Sequence, residues 1–95
     1  MDWIGKIKSD PDESLATLYH EYQNQGVNWI ISSFGLSKDE AEEVFQTSLV
    51  LLYDNVVTGK LTELTANIKT YLFAIIKNKI IHLNRSKNRF SAYDA

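Results

Sequence analysis

The stretch that decides the fold is Ile68 to Arg89, IKTYLFAIIKNKIIHLNRSKNR. Its apolar residues recur at intervals of three and four, which places them on one side of an α-helix. These apolar positions are Ile68, Leu72, Ile75, Ile76, Ile80 and Leu83. The same stretch holds six of the chain's ten Lys and Arg residues and no acid. The pattern therefore predicts a helix that packs on one face and meets a polyanion on the other.

Charge is segregated along the 95-residue chain, whose formal net charge is −2. Residues 1–68 carry eleven acids and four bases, whereas residues 69–89 carry six bases and no acid. The asymmetry suggests two surfaces with different partners. A solvated dipolar surface without any ligand would give the same pattern, so both interpretations stay open.

Composition limits the class of protein. One Pro, four Gly and 44% hydrophobic residues are typical of a single globular domain. The chain has no Cys, which excludes disulfides and favours a reducing compartment. No apolar run approaches the roughly 18 residues of a membrane span, and the N-terminus lacks an apolar segment with a cleavage site. We therefore expect a cytoplasmic protein without a membrane span.

Two helix starts precede the deciding stretch. In the first, Asp10 suits the N-cap, Pro11 the first helical position and Glu13 the capping-box position. We expect this helix to run to about Ser33, with Gly35 following as a left-handed C′ residue.

The first predicted helix carries a stripe of large apolar residues. They are Leu15, Leu18, Tyr19, Tyr22, Trp29, Ile30 and Phe34. Stripes at helical spacing usually pack, so we expect core here in preference to a binding surface. Gly26 is interpreted as a weak point at which the helix bends. His20 has no ligand-spaced partner and is expected at the surface.

The second helix start is at Ser37, which suits the N-cap, with Glu40 at the capping-box position. Two starts separated by Gly35 predict an antiparallel helix pair. The inward positions are Ala41, Val44, Phe45, Ser48, Leu49 and Leu52. The outward positions are Asp39, Glu42, Glu43, Gln46, Thr47, Val50 and Leu51. Either this acidic and apolar face is a docking surface, or Val50 and Leu51 face the third helix.

The segment between the second and third helices, NVVTGKLTELTA at residues 55–66, loses helical period. Leu61 and Leu64 could tether it to the core. A loop of this length is often functional, although it also serves as a plain connector. We expect the third helix to begin with Thr65 as N-cap and to end near Arg85.

These boundaries predict three segments. Residues 1–9 form a leader without clear helical period. A short helix through Trp3, Ile4 and Ile7 is an alternative interpretation of this segment. Residues 10–89 form the helical domain. Residues 90–95 are expected to begin a linker to a further domain.

Catalytic motifs are missing from the sequence. It has no Gly-rich phosphate loop, no Gly-x-Ser-x-Gly and no His-Glu-x-x-His. The acid pairs at the start of the second helix suit the helix dipole better than acid–base catalysis. We expect neither an enzyme nor a cofactor.

Nucleic-acid binding fits the third helix better. Its cations alternate with side chains that can stack on bases or hydrogen-bond to them, although Phe73 could equally be buried. The cations are Lys69, Lys77, Lys79 and Arg85, and the other side chains are Tyr71, Phe73, Asn78, His82 and Asn84.

Two segments in order resemble a known family. DEAEEVFQTSLVLLY, from Asp39 to Tyr53, is followed after a loop by KTYLFAIIKNKIIHLNR, from Lys69 to Arg85. This order resembles the second conserved region of RNA polymerase sigma factors, in the extracytoplasmic-function (ECF) group of the sigma-70 family. The resemblance covers about Leu15 to Arg89, and the stretch GKLTELTANIKTYLFAIIKN is similar to sigma factors of the Bacteroidetes type.

The resemblance implies a role in transcription initiation. The outward face of the second helix would dock on the clamp helices of the beta-prime subunit of core RNA polymerase. The residues implied are Asp39, Glu42, Glu43, Gln46, Leu49 and Val50. The loop from Gly59 to Lys69 would capture a base flipped out of the single-stranded promoter minus-ten element, and the third helix would contact the melted strand. The DNA-binding residues implied are Lys60, Lys69, Tyr71, Lys77, Asn78, His82 and Arg85.

The sequence departs from the family pattern at three places. Thr47 follows Gln46 where the family usually has Glu, Lys77 replaces an Arg, and His82 replaces an Asp. Lysine keeps the charge of arginine but loses its planar fork. The family's downstream helix-turn-helix region is not in this chain, so we expect a part of a longer factor.

We therefore predict an all-α bundle of three main helices, similar to sigma region 2, with an antiparallel pair and a third helix packed across it. The expected partners are core RNA polymerase, promoter DNA and an anti-sigma factor. The rival hypothesis is a protein-interaction adaptor whose basic helix docks on an acidic partner.

Overall fold

The computed structural model describes the backbone of residues 2–94 and the side chains of residues 2–83. Over that range the chain is all-α, with four helices and no strand. The helices are α1 (Trp3–Ser9), α2 (Pro11–Phe34), α3 (Lys38–Val57) and α4 (Ile68–Asp94). The all-α class is confirmed. The three main predicted helices correspond to α2, α3 and α4, and α1 is added to them.

A single residue, Asp10, joins α1 to α2. Its N–H donates to the carbonyl oxygen of Lys6 at 2.8 Å, which closes α1. Its Oδ1 accepts from the N–H of Glu13 at 3.3 Å, which caps α2, and Pro11 takes the first helical position. The predicted helix start is therefore confirmed.

Helix α1 belongs to the core, although a helix of this length is not stable by itself. Ile7 is fully buried in the same cluster as the side chains of the long helices. Trp3 and Ile4 pack on the edge of that cluster. Of the two interpretations left open for the leader, the structure has the short helix, and its tertiary contacts stabilise it.

Helices α2 and α3 form the predicted antiparallel pair. Gly35 ends α2 with φ 70° and ψ 22°, a left-handed conformation that glycine adopts without strain. Ser37 Oγ accepts from the N–H of Glu40, and Glu40 Oε1 accepts from the N–H of Ser37, both at 3.1 Å. This reciprocal pair is the predicted capping box. The six predicted inward residues of α3 are all buried: Ala41, Val44, Phe45, Ser48, Leu49 and Leu52.

Gly26 allows α2 and α3 to approach closely. It is buried, and a Cβ added there would lie 2.7 Å from Cε2 and 2.8 Å from Cδ2 of Phe45, whose side chain is fully buried. Residue 26 lies inside one continuous helix. The structure thus gives Gly26 a packing role, which the sequence did not predict.

Helix α4 packs antiparallel to α3. Near the start of α4, Tyr71 accepts a hydrogen bond from Nδ2 of Asn55, close to the end of α3, at 3.4 Å. Further along, Lys79 shares a groove with Thr47 near the middle of α3. The buried face of α4 consists of Ile68, Leu72, Ile76 and Ile80.

The predicted N-cap of α4 is wrong. Asn67 Oδ1 accepts from the N–H of Thr70 at 2.8 Å, so Asn67 is the N-cap, and Thr65 lies before it in the loop. Asparagine caps helices at least as well as threonine, and this register buries Ile68. The helix continues beyond the predicted end near Arg85 to Asp94, and no Gly or Pro interrupts it.

Candidate protein-docking and nucleic-acid surfaces

The outward face of α3 forms one continuous exposed stripe. A helix turns about 100° per residue, so residues three, four or seven apart share a face. The α3 stripe consists of Asp39, Glu43, Gln46, Val50, Asp54 and Val57, all of which are exposed. Val50 is 62% exposed and Val57 is 54% exposed. Val50 lies between Glu43 and Asp54 along the stripe and Val57 ends it, so apolar and acidic side chains share this face.

Most of the predicted docking residues lie on this stripe, and two do not. Glu42 is half-buried at its edge. Leu49 is only 6% exposed and belongs to the core, so its side chain offers little surface to a partner. Val57 was missed because the sequence assigned it to the loop. Its spacing of seven from Val50 was the signal that could have identified it.

The two apolar residues whose direction was left open have different surroundings. Val50 points to solvent on the α3 stripe, whereas Leu51 is half-buried. Leu51 lines a groove of about 350 Å³ with Ile75 and Asn78 of α4. The alternative that both residues face the third helix is therefore correct for Leu51 and wrong for Val50, and docking at Val50 stays a prediction.

Lys79 of α4 shares a groove with two acids of α3. It is half-buried and lines a second groove, of about 270 Å³, with Glu40 and Glu43 of α3. Carboxylates nearby offset the attraction of a lysine for phosphate. Lys79 is thus less suited to phosphate than its place in a basic helix suggested.

The predicted DNA-binding residues of α4 do not share one face. Tyr71, Asn78 and His82 lie on the edge that faces α3, and the last two line the 350 Å³ groove. Lys77 is turned by about 100° from Asn78, on the other side of the helix. Lys60 is exposed in the loop. The side chain of Arg85 lies outside the described residues.

On the side of α4 that faces α2, aromatic rings and cations come together. Phe73 stacks on Trp29 with ring centroids 4.9 Å apart and an interplanar angle of 21°. Phe34 packs edge-on against Trp29 at 5.4 Å. Lys69 Nζ lies 5.6 Å from the centroid of the Phe73 ring, and Lys77 follows one turn after Phe73. We call Trp29, Phe73, Lys69 and Lys77 the aromatic seam.

The α2 side of the seam carries no charge. Residues 22–34 contain no acid and no base. Burial raises the pKa of the Tyr22 phenol, and the adjacent Glu21 raises it further, so Tyr22 is neutral at physiological pH. Both rings of the stack, Trp29 and Phe73, are partly exposed.

The loop at residues 58–67 is anchored at its start. Gly59 has φ 81°, and the N–H of Leu61 donates to the carbonyl oxygen of Asn55 at 2.9 Å. Leu61 is 8% exposed and Leu64 packs on the core, as the sequence predicted. Between the loop and α1 lies a hollow of about 430 Å³. It is lined by Asp2, Trp3, Ile4, Gly5, Lys8, Thr62, Glu63 and Leu64.

Searches with protein-family models, against curated proteins and against solved structures returned no match for this chain. Within the described residues, no group of His, Cys, Asp or Glu side chains is placed to hold a metal ion. Over the same part of the chain, no helix has the length and apolar character needed to cross a membrane. His20 is exposed beside Tyr19, at 5.8 Å between ring centroids, which agrees with its predicted surface position.

Proposed function

We propose that this chain acts in transcription initiation, as the domain of a sigma-like factor that binds core RNA polymerase and opens the promoter minus-ten element. One observation carries the proposal: two surfaces of different chemistry lie on one small bundle. The α3 stripe is acidic and apolar, whereas the α4 sequence from Ile68 to Arg89 has no acid. The loop at residues 58–67 connects the two helices.

The α3 stripe has the character of a protein-docking surface. Interfaces commonly have an apolar centre within a polar rim, and the exposed Val50, with Glu43 before it and Asp54 after it on the stripe, matches that arrangement. The partner that the sequence resemblance implies is the pair of clamp helices of the beta-prime subunit. Asp39, Glu43, Gln46 and Val50 keep their proposed roles. Val57 joins them, and Leu49 leaves the set because it is buried.

The loop and α4 would hold the opened promoter. Flipping a base out of a duplex costs a few kcal/mol, which contacts in a pocket must offset. The hollow beside the loop combines the apolar surface of Trp3 and Leu64 with the hydroxyl of Thr62, which can hydrogen-bond a base, whereas its acids Asp2 and Glu63 would keep phosphates outside it. Lys60, which is exposed at the start of the loop, would attract the adjacent phosphates.

Capture by core RNA polymerase tests the docking half of this proposal. Val50→Glu places a charge where the stripe has its most exposed apolar side chain. Full burial of a valine is worth about 1.5–3 kcal/mol. Scaled to the 62% of Val50 that is exposed, this gives about 1–2 kcal/mol for a docked complex. We expect a loss of affinity of roughly 5- to 30-fold.

Asn24→Glu is the matched control, because it introduces the same charge at an exposed position of α2. It should bind polymerase like the unmodified chain. Equal binding by the Val50→Glu and Asn24→Glu variants would remove the α3 stripe from the proposal. Failure of the unmodified chain to bind polymerase would refute the proposed function.

A further inference from the structure

We infer that the aromatic seam is a binding site for single-stranded nucleic acid, with one base stacked on Phe73 and the flanking phosphates held by Lys69 and Lys77. The inference rests on the strand-binding half of the proposed function. It adds α2 to the contact surface through Trp29, which the resemblance did not implicate. It also moves the main contacts away from the α4 edge that carries Tyr71 and Asn78.

The ring of Phe73 is arranged to receive a base. Trp29 stacks on one face of this ring, so the Lys69 ammonium at 5.6 Å covers the other. A lysine side chain is long and flexible, and its ammonium group binds phosphate as a point charge. If Lys69 turned to a phosphate, the ring face beneath it would become free for a base. Trp29 would stay stacked on the opposite face of the Phe73 ring.

The spacing along α4 suits a strand that passes over this ring. Lys69, Phe73 and Lys77 are four residues apart in succession. With a rise of about 1.5 Å per residue, each step covers about 6 Å along the helix. The aromatic ring therefore lies between two cations on one face. Alternation of stacking rings and cations is the usual design of sequence-tolerant single-strand sites.

Electrostatics favours the seam over the opposite edge of α4. Residues 22–34 of α2 have no charged side chain, and Gln25 and Ser33, four residues either side of Trp29, can hydrogen-bond to bases. On the opposite edge, Lys79 shares its groove with Glu40 and Glu43. A polyanion would meet these carboxylates there, whereas residues 22–34 of α2, which flank the seam, are all neutral.

Intrinsic fluorescence can report occupancy of the seam. The chain has two tryptophans, Trp3 at the hollow beside the loop and Trp29 in the seam. We expect a short oligodeoxythymidylate to quench the fluorescence of the unmodified chain, with a much smaller quench in Trp29→Phe, and we expect the affinity to fall as salt rises. Phe73→Leu should weaken binding by roughly 5- to 150-fold, the range that about 1–3 kcal/mol per stacked base corresponds to.

The lysines provide a test that does not depend on the core. Each phosphate contact on a single strand contributes about 0.7 to the slope of log affinity against log salt. The Lys69→Gln, Lys77→Gln double variant should therefore lower the slope by about 1.4. Lys79→Gln is the matched control, since it removes the same charge from the same helix, and it should leave the slope unchanged.

Three results would overturn the inference. They are the absence of oligonucleotide binding, an equal slope in the double variant and the unmodified chain, and loss of binding in Asn78→Ala with the seam variants unaffected. The third result would move the strand to the α3 edge and leave the proposed function intact. Polymerase capture is measured separately, so failure of the seam is distinguishable from failure of the proposed function.

Discussion

Gly26→Ala tests how tightly α2 and α3 are packed. The added methyl group would lie 2.7 Å and 2.8 Å from two ring carbons of Phe45, whereas ordinary carbon contacts are about 3.5–4.0 Å. The ring or the helix backbone must therefore move by nearly an ångström. Phe45 is fully buried and also packs against Tyr19 at 6.0 Å between centroids, so the displacement would spread through the core.

Two opposing terms set the size of the effect. Forcing an extra methyl group into a packed core costs about 1–3 kcal/mol. Replacing a mid-helix glycine by alanine gains about 1 kcal/mol in helix propensity. We expect a net loss of up to about 2 kcal/mol in the free energy of unfolding, a substantial part of the roughly 5–15 kcal/mol of a typical domain.

A double-mutant cycle with Phe45→Val separates the two terms, because valine lacks both contacting ring atoms. In the Phe45→Val background, Gly26→Ala should stabilise the protein by up to about 1 kcal/mol, so the coupling energy should be about 1–3 kcal/mol. Urea denaturation monitored by circular dichroism measures each term. Asn28→Ala, at an exposed position of α2, is a control for helix propensity without a packing change, and for asparagine the gain is at most about 0.7 kcal/mol. The packing account fails if Gly26→Ala changes stability equally in both backgrounds.

Two further predictions concern helix ends. Asn67→Ala should destabilise the protein by about 1 kcal/mol through loss of the N-cap of α4, while Thr65→Ala should change stability little in the same denaturation assay; a larger effect at Thr65 would contradict the assigned cap. Gly35→Ala should cost about 1–2 kcal/mol from its φ of 70° alone, since nothing lies within 4 Å of the added Cβ. Gly35→Asn should cost less, because asparagine tolerates this conformation, and an equal thermal shift for both variants would refute that reason.

Local signals predicted much of the fold. Asp10, Ser37 and Gly35 were assigned correctly because capping depends on a few adjacent residues and their hydrogen bonds. Periodicity also predicted the six buried residues of α3 and four of the six apolar positions of α4. It was wrong for Leu83, which is 39% exposed, and Ile75 is half-buried. Asn67 was missed because two cap-forming residues lie two positions apart, and the choice between them depends on the burial of Ile68 in the core.

The other features depend on contacts between residues distant in sequence. The role of Gly26 is set by Phe45, and nothing near position 26 indicates a ring there. Helix α1 forms because Ile7 is buried by other helices. The candidate site shows the same limit. The sequence identified the cations of α4 as a group, but among those whose side chains are described Lys69 and Lys77 lie on the side that faces α2, and Lys79 shares a groove with acids of α3. The stacking of Trp29 on Phe73 has no local signal.

The joint at Asp10 also determines where the chain tolerates extra length. Its N–H completes α1 and its carboxylate begins α2, so no residue is spare between the two helices. With an inserted residue, one residue could no longer both close α1 through its N–H and cap α2 through its carboxylate. The insertion would also displace Ile7 from the core. Residues 65–67 are exposed, and in this stretch the capping hydrogen bond of Asn67 is the contact that fixes the start of α4. Length variation should therefore be accommodated in the loop and rejected at the junction of α1 and α2.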